Sequence, residues 1–436
     1  MKLWSYDGDS IYTFPRFSTK PLEKSGTISP PQCFLGDGTA IKFQSELKST
    51  ENQEVVFKHV MKERFTKDRI DRGIGGAYIE MGTGRGKTYL SLRFVQEFKK
   101  KTLIIVPRIA LFRQWEEVIR QVFGNVSIGS LRGGKHQDGD IVLATIHSIL
   151  GPTFKQKGGF LPMSDYMKEF GFMILDEIHM YCSDKYSKAF QIAQCKRTLA
   201  LTATSNDRND PFDKCAWSWY GKPIVAEKLK GFKTTGTDFS TVVRRVNYYG
   251  PDKYTRTVKN RDGVASSGGT INLIMKDPAR QQIILKLVEE YKEIQERNIY
   301  LIFEHREAVK EYSGLLGEVD APEIGILMGG VTHDSSNEVK KHARVIVCTY
   351  SYISTGISIV RMNTIILGTP RKSNFKQLIG RIRRLGSDEK IERIIVDIVD
   401  MNTFLSRQYY QRQGIYDSFF KAKYEFTKTR DGDSDQ

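Results

Sequence analysis

The sequence predicts an α/β protein of two tandem domains, each a parallel sheet with helices on both faces. Three observations lead there. Short β-rich apolar runs, such as Thr102–Val106 and Phe172–Leu175, alternate with segments of helical spacing. The alternation weakens over residues 221–277 and then resumes. The length of 436 residues suits two or three domains at roughly 100–200 residues each.

Residues 1–45 show little helical periodicity and carry the turn strings Ser29-Pro30-Pro31 and Gly36-Asp37-Gly38. They read as a short N-terminal accessory segment. A helix is expected over Leu47–Phe65, a strand at Ala77–Ile79, a helix at Thr88–Lys99 and a strand at Thr102–Val106. A helix at Leu111–Val122 and strands at Asp140–Ala144, Phe172–Leu175 and Thr198–Thr202 complete the first domain, 46–222. The second domain, 223–425, begins in a stretch rich in glycine. Residues 231–269 there carry Phe232, Arg244, Arg245, Tyr248, Tyr249 and Tyr254, and read as a sheet edge or as a grip on nucleic acid. Beyond it the pattern gives a helix at Ala279–Gln295, a strand at Ile299–Phe303 and a helix at Glu307–Leu316. Strands follow at Val345–Cys348, Thr364–Leu367 and Ile394–Ile398. Residues 426–436 read as a polar tail.

Composition narrows the class. The chain is 39% hydrophobic and 27% charged, which suits a soluble globular protein and excludes collagen-like or mainly disordered chains. No apolar run approaches the ~20 residues that span a bilayer. Asp7 and Asp9 interrupt the place where a secretory signal needs its apolar core. The five cysteines form no C-x-x-C pair, which points to a reducing, intracellular compartment. Net charge is +16, and the halves 1–220 and 221–436 each contribute +8. A basic excess spread over the whole body attracts polyanions, with nucleic acid the first candidate.

Three strings carry chemistry. Glu80-Met81-Gly82-Thr83-Gly84-Arg85-Gly86-Lys87-Thr88 lies between a strand and a helix. Glycines let backbone N–H groups converge on phosphates, and the helix N-terminus adds its positive end. Gly82, Thr83, Gly84, Arg85 and Gly86 therefore form a candidate phosphate loop, although Met81 stands where the G-x-x-x-x-G-K-T pattern has glycine. Lys87 is placed to reach the β- and γ-phosphates, and the Thr88 hydroxyl to bind Mg²⁺. Phe172–Leu175 ends in Asp176 and Glu177, at the carboxyl edge where open α/β sheets bind ligands. Asp176 is the candidate holder of Mg²⁺, and Glu177 the group that orients or deprotonates an attacking water. His179 is placed to bond a neighbouring element. Thr202 and Thr204, in Leu199-Ala200-Leu201-Thr202-Ala203-Thr204, suit a relay from Asp176 and His179 to a moving surface. In Gln377-Leu378-Ile379-Gly380-Arg381-Ile382-Arg383-Arg384, Arg381 and Arg384 share a helix face with Gln377. Two guanidinium groups presented to a cleft suit a γ-phosphate in the transition state.

As an ordered set, GTGRGKT, DEIH, TAT and QLIGRIRR across two α/β domains resemble the superfamily 2 helicases of the DExH type. The string Ile104-Ile105-Val106-Pro107-Arg108 with Gln114-Trp115 looks like that superfamily's first strand-contacting motif. Asp140–Thr145 looks like the next one. Ile346–Thr349 followed by Ser354-Thr355-Gly356-Ile357-Ser358 resembles the fifth motif. The V-P-R-x-x-L-x-x-Q-W and T-G-I-S strings are similar to UvsW-type, RadD-type and XPB-like DNA helicases, and to helicases of large DNA viruses such as the poxvirus transcript-release helicase. The Tyr12-Thr13-Phe14-Pro15-Arg16 string resembles the region before the motor in that viral group.

The resemblance implies two RecA-like domains with ATP and Mg²⁺ in a cleft between them. It also implies a nucleic-acid-dependent ATPase that unwinds or remodels DNA. Pro107, Arg108, Thr145 and Thr349 would contact the strand, Gly356 would couple it to hydrolysis, and Gln53 or Glu51 would read adenine. DNA is favoured over RNA by the resemblance alone. Replication, repair or transcription machinery are the implied partners. No membrane and no clear oligomerisation signal are indicated. The implied location is the cytoplasm of a bacterial or virus-infected cell, the virion included. Other readings are an RNA helicase or transcript-release ATPase, the motor subunit of a multi-protein nuclease, and a nucleic-acid scaffold without turnover.

Overall fold

The computed structural model describes residues 6–7, 11–12, 35–156, 159–203, 213–233, 239–317, 323–353, 359–371, 375–383, 388, 390–419 and 422–430. Among these residues no helix is long and apolar enough to cross a membrane. The chain divides into two compact units, Met1–Thr234 and Thr235–Gln436.

The first unit holds an eight-stranded sheet. Its strands are β1 (Gly75–Glu80), β2 (Thr102–Val106), β3 (Ile128–Arg132), β4 (Lys135–Gln137), β5 (Ile141–Thr145), β6 (Phe172–Leu175), β7 (Arg197–Thr202) and β8 (Ile224–Val225). The order across the sheet is β8-β1-β7-β6-β2-β5-β3-β4, and every neighbouring pair is parallel except the β3–β4 hairpin. Strands buried on both faces explain the unbroken apolar runs. Ile104, Val106, Ile174 and Leu201 point into one core layer, while Leu103, Ile105, Leu175 and Ala200 point into the other.

Helix α1 (Glu51–Arg64) starts four residues later than its apolar spacing suggests, because Thr50 and Gln53 form a reciprocal capping box there. Helices α2 (Lys87–Phe98) and α3 (Ile109–Val122) follow β1 and β2. The division between units falls after Thr234, later than the expected 222/223 boundary. The reason is local. β8 pairs with β1, and Asn52 bonds both backbone groups of Lys233, so residues 224–233 belong to the first unit.

The second unit has a seven-stranded, all-parallel sheet. Its strands are β9 (Thr241–Tyr249), β10 (Ile299–Phe303), β11 (Ile324–Leu327), β12 (Val345–Thr349), β13 (Thr364–Leu367), β14 (Arg393–Asp400) and β15 (Lys423–Arg430). The order is β11-β12-β10-β13-β14-β9-β15. Two expectations change here. The 231–269 stretch is not a sheet edge: β9 is interior, paired with β14 on one side and β15 on the other. Its Arg244 pairs with Glu290, and its Tyr248 is buried and donates to Asp277 at 2.6 Å. The expected polar tail from 426 begins inside β15, which lies in register with β9 from Val242↔Lys423 to Tyr249↔Arg430.

Strand β14 carries two fully buried carboxylates, one for each face of the sheet. Asp400 takes a two-pronged bond from Arg280 of α4 (Pro278–Lys292), at 2.6 and 3.1 Å. Asp397 takes the same from Arg412 of α5 (Arg407–Phe419), at 2.8 and 2.7 Å, and a third bond from the Tyr416 hydroxyl. Breaking a buried pair from one side leaves an uncompensated charge. Arg412→Ala is expected to destabilise the second unit by about 3–5 kcal/mol, and replacing both Arg412 and Asp397 with leucine to recover most of that. Urea unfolding of the full chain checks both.

Candidate functional site

In the first unit the candidate phosphate loop, the acidic pair and Thr202 all lie at the carboxyl edge of the sheet. The loop follows β1, the acidic pair follows β6, and β7 runs between those strands. The end of β7 ties the site together. The Thr202 carbonyl accepts from Met81 N–H at 3.0 Å, and Thr202 Oγ1 shares a 3.0 Å hydrogen bond with His179 Nδ1. The expected contact of His179 with a neighbouring element is therefore present. Thr204, Gly356 and Arg384, with the rest of the 354–358 string, lie outside the described residues, as do residues 13–16.

Met81 is fully buried, so a large apolar side chain is accommodated where the common pattern has glycine. Gly84 and Gly86 have φ of 77° and 85°, in the left-handed region that favours glycine. Gly86 is also the N-cap of α2 and caps it without a side chain. The first turn of α2 contains no acidic residue, so the positive end of the helix is not neutralised by its own side chains. Lys87 Nζ donates to the Met81 carbonyl at 3.1 Å, folded back along the loop. Thr83 in the loop and Thr88 in the first turn of α2 are both half-buried. Gln53 forms part of the wall: its amide donates to Gly86 O at 3.1 Å, and its carbonyl closes the α1 capping box at 2.8 Å. Both ends of Gln53 are thus engaged within the protein, while Glu51 pairs with Lys233.

Asp176 is 6% exposed. Burial and the neighbouring Glu177 charge push its carboxyl up to about 6, against the pull of Trp115 and Lys87. Trp115, which follows Gln114 in the strand-contacting motif, supports this acid. Its indole N–H is buried and donates to Asp176 Oδ2 at 2.9 Å, so it braces the acid. Glu177 adopts φ 51°, which costs a non-glycine residue about 1–2 kcal/mol. That turn sends its carboxylate beside His179 Nδ1 at 3.4 Å.

Of the expected strand-contacting residues, Pro107 is buried and Arg108 half-buried at the N-cap of α3. Thr145 and Thr349 are buried as well. The Thr145 hydroxyl bonds Ser148 at 2.9 Å, and that of Thr349 bonds Ser351 at 3.1 Å. The Thr349 hydroxyl also accepts from Tyr352 N–H at 3.3 Å and so caps the turn after its strand. In the second unit the helix Phe375–Ile379 stops before Arg381. Arg381 N–H and Ile382 N–H bond three residues back, so Arg381 sits on a tightened turn and not on the helix face expected with Gln377. Gln377 and Arg381 are both nearly buried. Arg393 holds this turn from beneath, donating to Ile382 O at 2.6 Å and Asp388 O at 2.9 Å.

The raised Asp176 carboxyl has a stability consequence. The unfolded aspartate loses its proton near 3.8 and the folded one near 6, so between those values the folded state holds more protons. Raising the pH through that window therefore costs stability when no cation is bound. Asp176→Asn should make the metal-free protein more stable at pH 7, by on the order of 2 kcal/mol, with the difference vanishing below pH 4. Thermal unfolding across pH 4–7 reads this directly.

Residues 46–207 match the family model described as the type III restriction enzyme res subunit. A protein of African swine fever virus, isolate Pig/Kenya/KEN-50/1950, named as an ATP-dependent RNA helicase, is 30% identical over 361 residues, covering 78% of this chain and 68% of the relative. One from Acanthamoeba polyphaga mimivirus, similarly named, is 26% identical over 83% of this chain and 70% of its own length. Among solved structures, yeast Dbp5 bound to RNA and ADP BeF3 superposes with a TM-score of 0.53 at 13% identity, covering 88% of this chain and 94% of that one. A fragment of an HsdR subunit of a type I restriction enzyme from Vibrio vulnificus gives 0.54 at 14% identity, covering 87% and 67%. With the RecA-like fold of both units and the loop-and-acid edge of the first, the chain belongs to the superfamily 2 ATP-dependent helicases, in the group carried by large DNA viruses.

Proposed function

We propose that the protein is a DNA-stimulated motor whose first unit holds ATP–Mg²⁺ at the loop of residues 82–88. The observation that carries this reading is the single edge on which Lys87, Asp176, Glu177 and the His179–Thr202 bond meet. The residues suit a divalent cation: a buried carboxylate kept costly by a second acid nearby is relieved by a positive ion. Asp176 and Thr88 would hold the Mg²⁺, which supplies neutralisation of phosphate charge when bound. Lys87 would swing from Met81 O to the phosphates. Glu177, held by its strained backbone, would orient the attacking water and take its proton. Trp115 keeps Asp176 in place. Arg381 and Arg384 of the second unit would stabilise charge on the γ-phosphate, with Gln377 beside them.

DNA as the substrate is supported by the match of residues 46–207 to a restriction-enzyme subunit and by the basic excess of the chain. A second reading, RNA, is favoured by the names of the African swine fever virus and mimivirus relatives. The viral relatives also support work in the cytoplasm of an infected cell.

ATPase assays with single-stranded DNA, duplex DNA and RNA decide between the substrates. Stimulation by RNA alone sinks the DNA reading, and no turnover with any polynucleotide sinks the motor. Lys87→Ala is expected to abolish turnover. Arg384→Ala should retain nucleotide binding while slowing hydrolysis by about 10³-fold or more. Trp115→Phe keeps the ring and removes the bond to Asp176, so kcat should fall by about tenfold, a loss measurable in steady state at saturating ATP.

A further inference from the structure

Between β8 and the second unit, residues 226–233 are fastened at two points. At one, Glu227 Oε1 accepts from Gly82 N–H at 2.8 Å and lies 3.4 Å from Arg85 Nε. The Arg85 guanidinium stands 5.7 Å from the centre of the Phe232 ring. At the other, Lys233 N–H donates to Asn52 Oδ1 at 2.7 Å and Asn52 Nδ2 returns a bond to Lys233 O at 2.8 Å. Two residues of the phosphate loop thus touch one carboxylate that comes from 145 positions further along the chain.

The physical case rests on what such a loop lacks. Gly82, Gly84 and Gly86 leave it with more conformational freedom to lose than any other residues would. It has few side chains of its own to set its shape. A carboxylate bonded to a backbone N–H is a strong, directional restraint. A Cβ on Gly82 would come 3.1 Å from Glu227 Oε1, so the approach is close. Restraining the loop in its working shape lowers the ordering cost that nucleotide binding otherwise carries.

We infer that Glu227 is a positioning residue for the ATP site: it sets the first turn of the phosphate loop and holds Arg85 to the side, so nucleotide occupancy and the course of residues 226–233 are linked. This rests on the reading of residues 82–88 as the ATP loop.

The test uses the full chain. Steady-state ATPase is measured for Glu227→Ala and for Glu227→Gln. The glutamine keeps an acceptor for Gly82 and loses the ion pair with Arg85. Trypsin cleavage at the exposed Lys228 and Lys230 is followed with and without ADP. Glu227→Ala should raise KM for ATP about tenfold while changing kcat less than about twofold, and Glu227→Gln should raise KM about threefold. ADP should slow cleavage of the wild-type segment, and Glu227→Ala should remove that protection. A KM within about twofold of wild type in Glu227→Ala, or equal protection in both proteins, overturns the inference. Should Glu227→Ala fail to fold, the near-isosteric Glu227→Gln carries the same test. A wild-type protein that hydrolyses no ATP defeats the reading of the loop itself. An active wild type matched by Glu227→Ala defeats only the role of Glu227.

Discussion

The site depends on the last residue of one strand. Thr202 ends β7, which the sheet places between the strand that feeds the phosphate loop and the strand that feeds the acidic pair. Its carbonyl holds Met81, and its hydroxyl holds His179. A parallel sheet makes this possible because all carboxyl ends emerge on one edge. The loop, the acids and Thr202 are brought together by strand order, not by proximity in sequence. A displacement at the end of β7 is felt at both flanks at once.

Much of this was legible in the residues. Buried parallel strands leave continuous apolar runs, and Thr102–Val106, Phe172–Leu175 and Thr364–Leu367 have the bounds their composition suggests. The phosphate loop announces itself through glycines that only a left-handed turn requires. Other features were hidden for physical reasons. β9 reads TVVRRVNYY, and its arginines disguise an interior strand because their charges are met by Glu290 and by the Tyr409 ring. β15 reads KYEFTKTR and is a strand by pairing more than by burial. Trp115 looked like part of a strand-contacting motif, whereas its indole turns inward to an aspartate 61 residues away. Glu227 carried no local signal, since its partners lie in a loop 145 residues earlier.

The second unit solves a different problem from the first. Its strand β14 places Asp397 and Asp400 on opposite faces, and each receives a guanidinium from the helix covering that face. Arg412 also reaches the carbonyl of Arg371, and Arg280 reaches that of Gly368. These bonds lock helices α4 and α5 to the sheet by geometry that apolar packing alone does not specify. Arg393, at the start of the same strand, holds the turn that bears Arg381. The strand is therefore both the core of its unit and the anchor of the arginine-bearing segment.

The pairing of β9 constrains how the molecule is made. Its two neighbours are residues 393–400 and 423–430, more than 140 positions downstream. During synthesis at about 5–20 residues per second, β9 leaves the ribosome many seconds before either partner exists. Throughout that interval a nine-residue strand with valines and tyrosines has both backbone edges open. β1 of the first unit is in the same position, since its neighbours β7 and β8 lie at residues 197–202 and 224–225, so each nascent unit carries an unpaired strand that needs protection from strand-to-strand association.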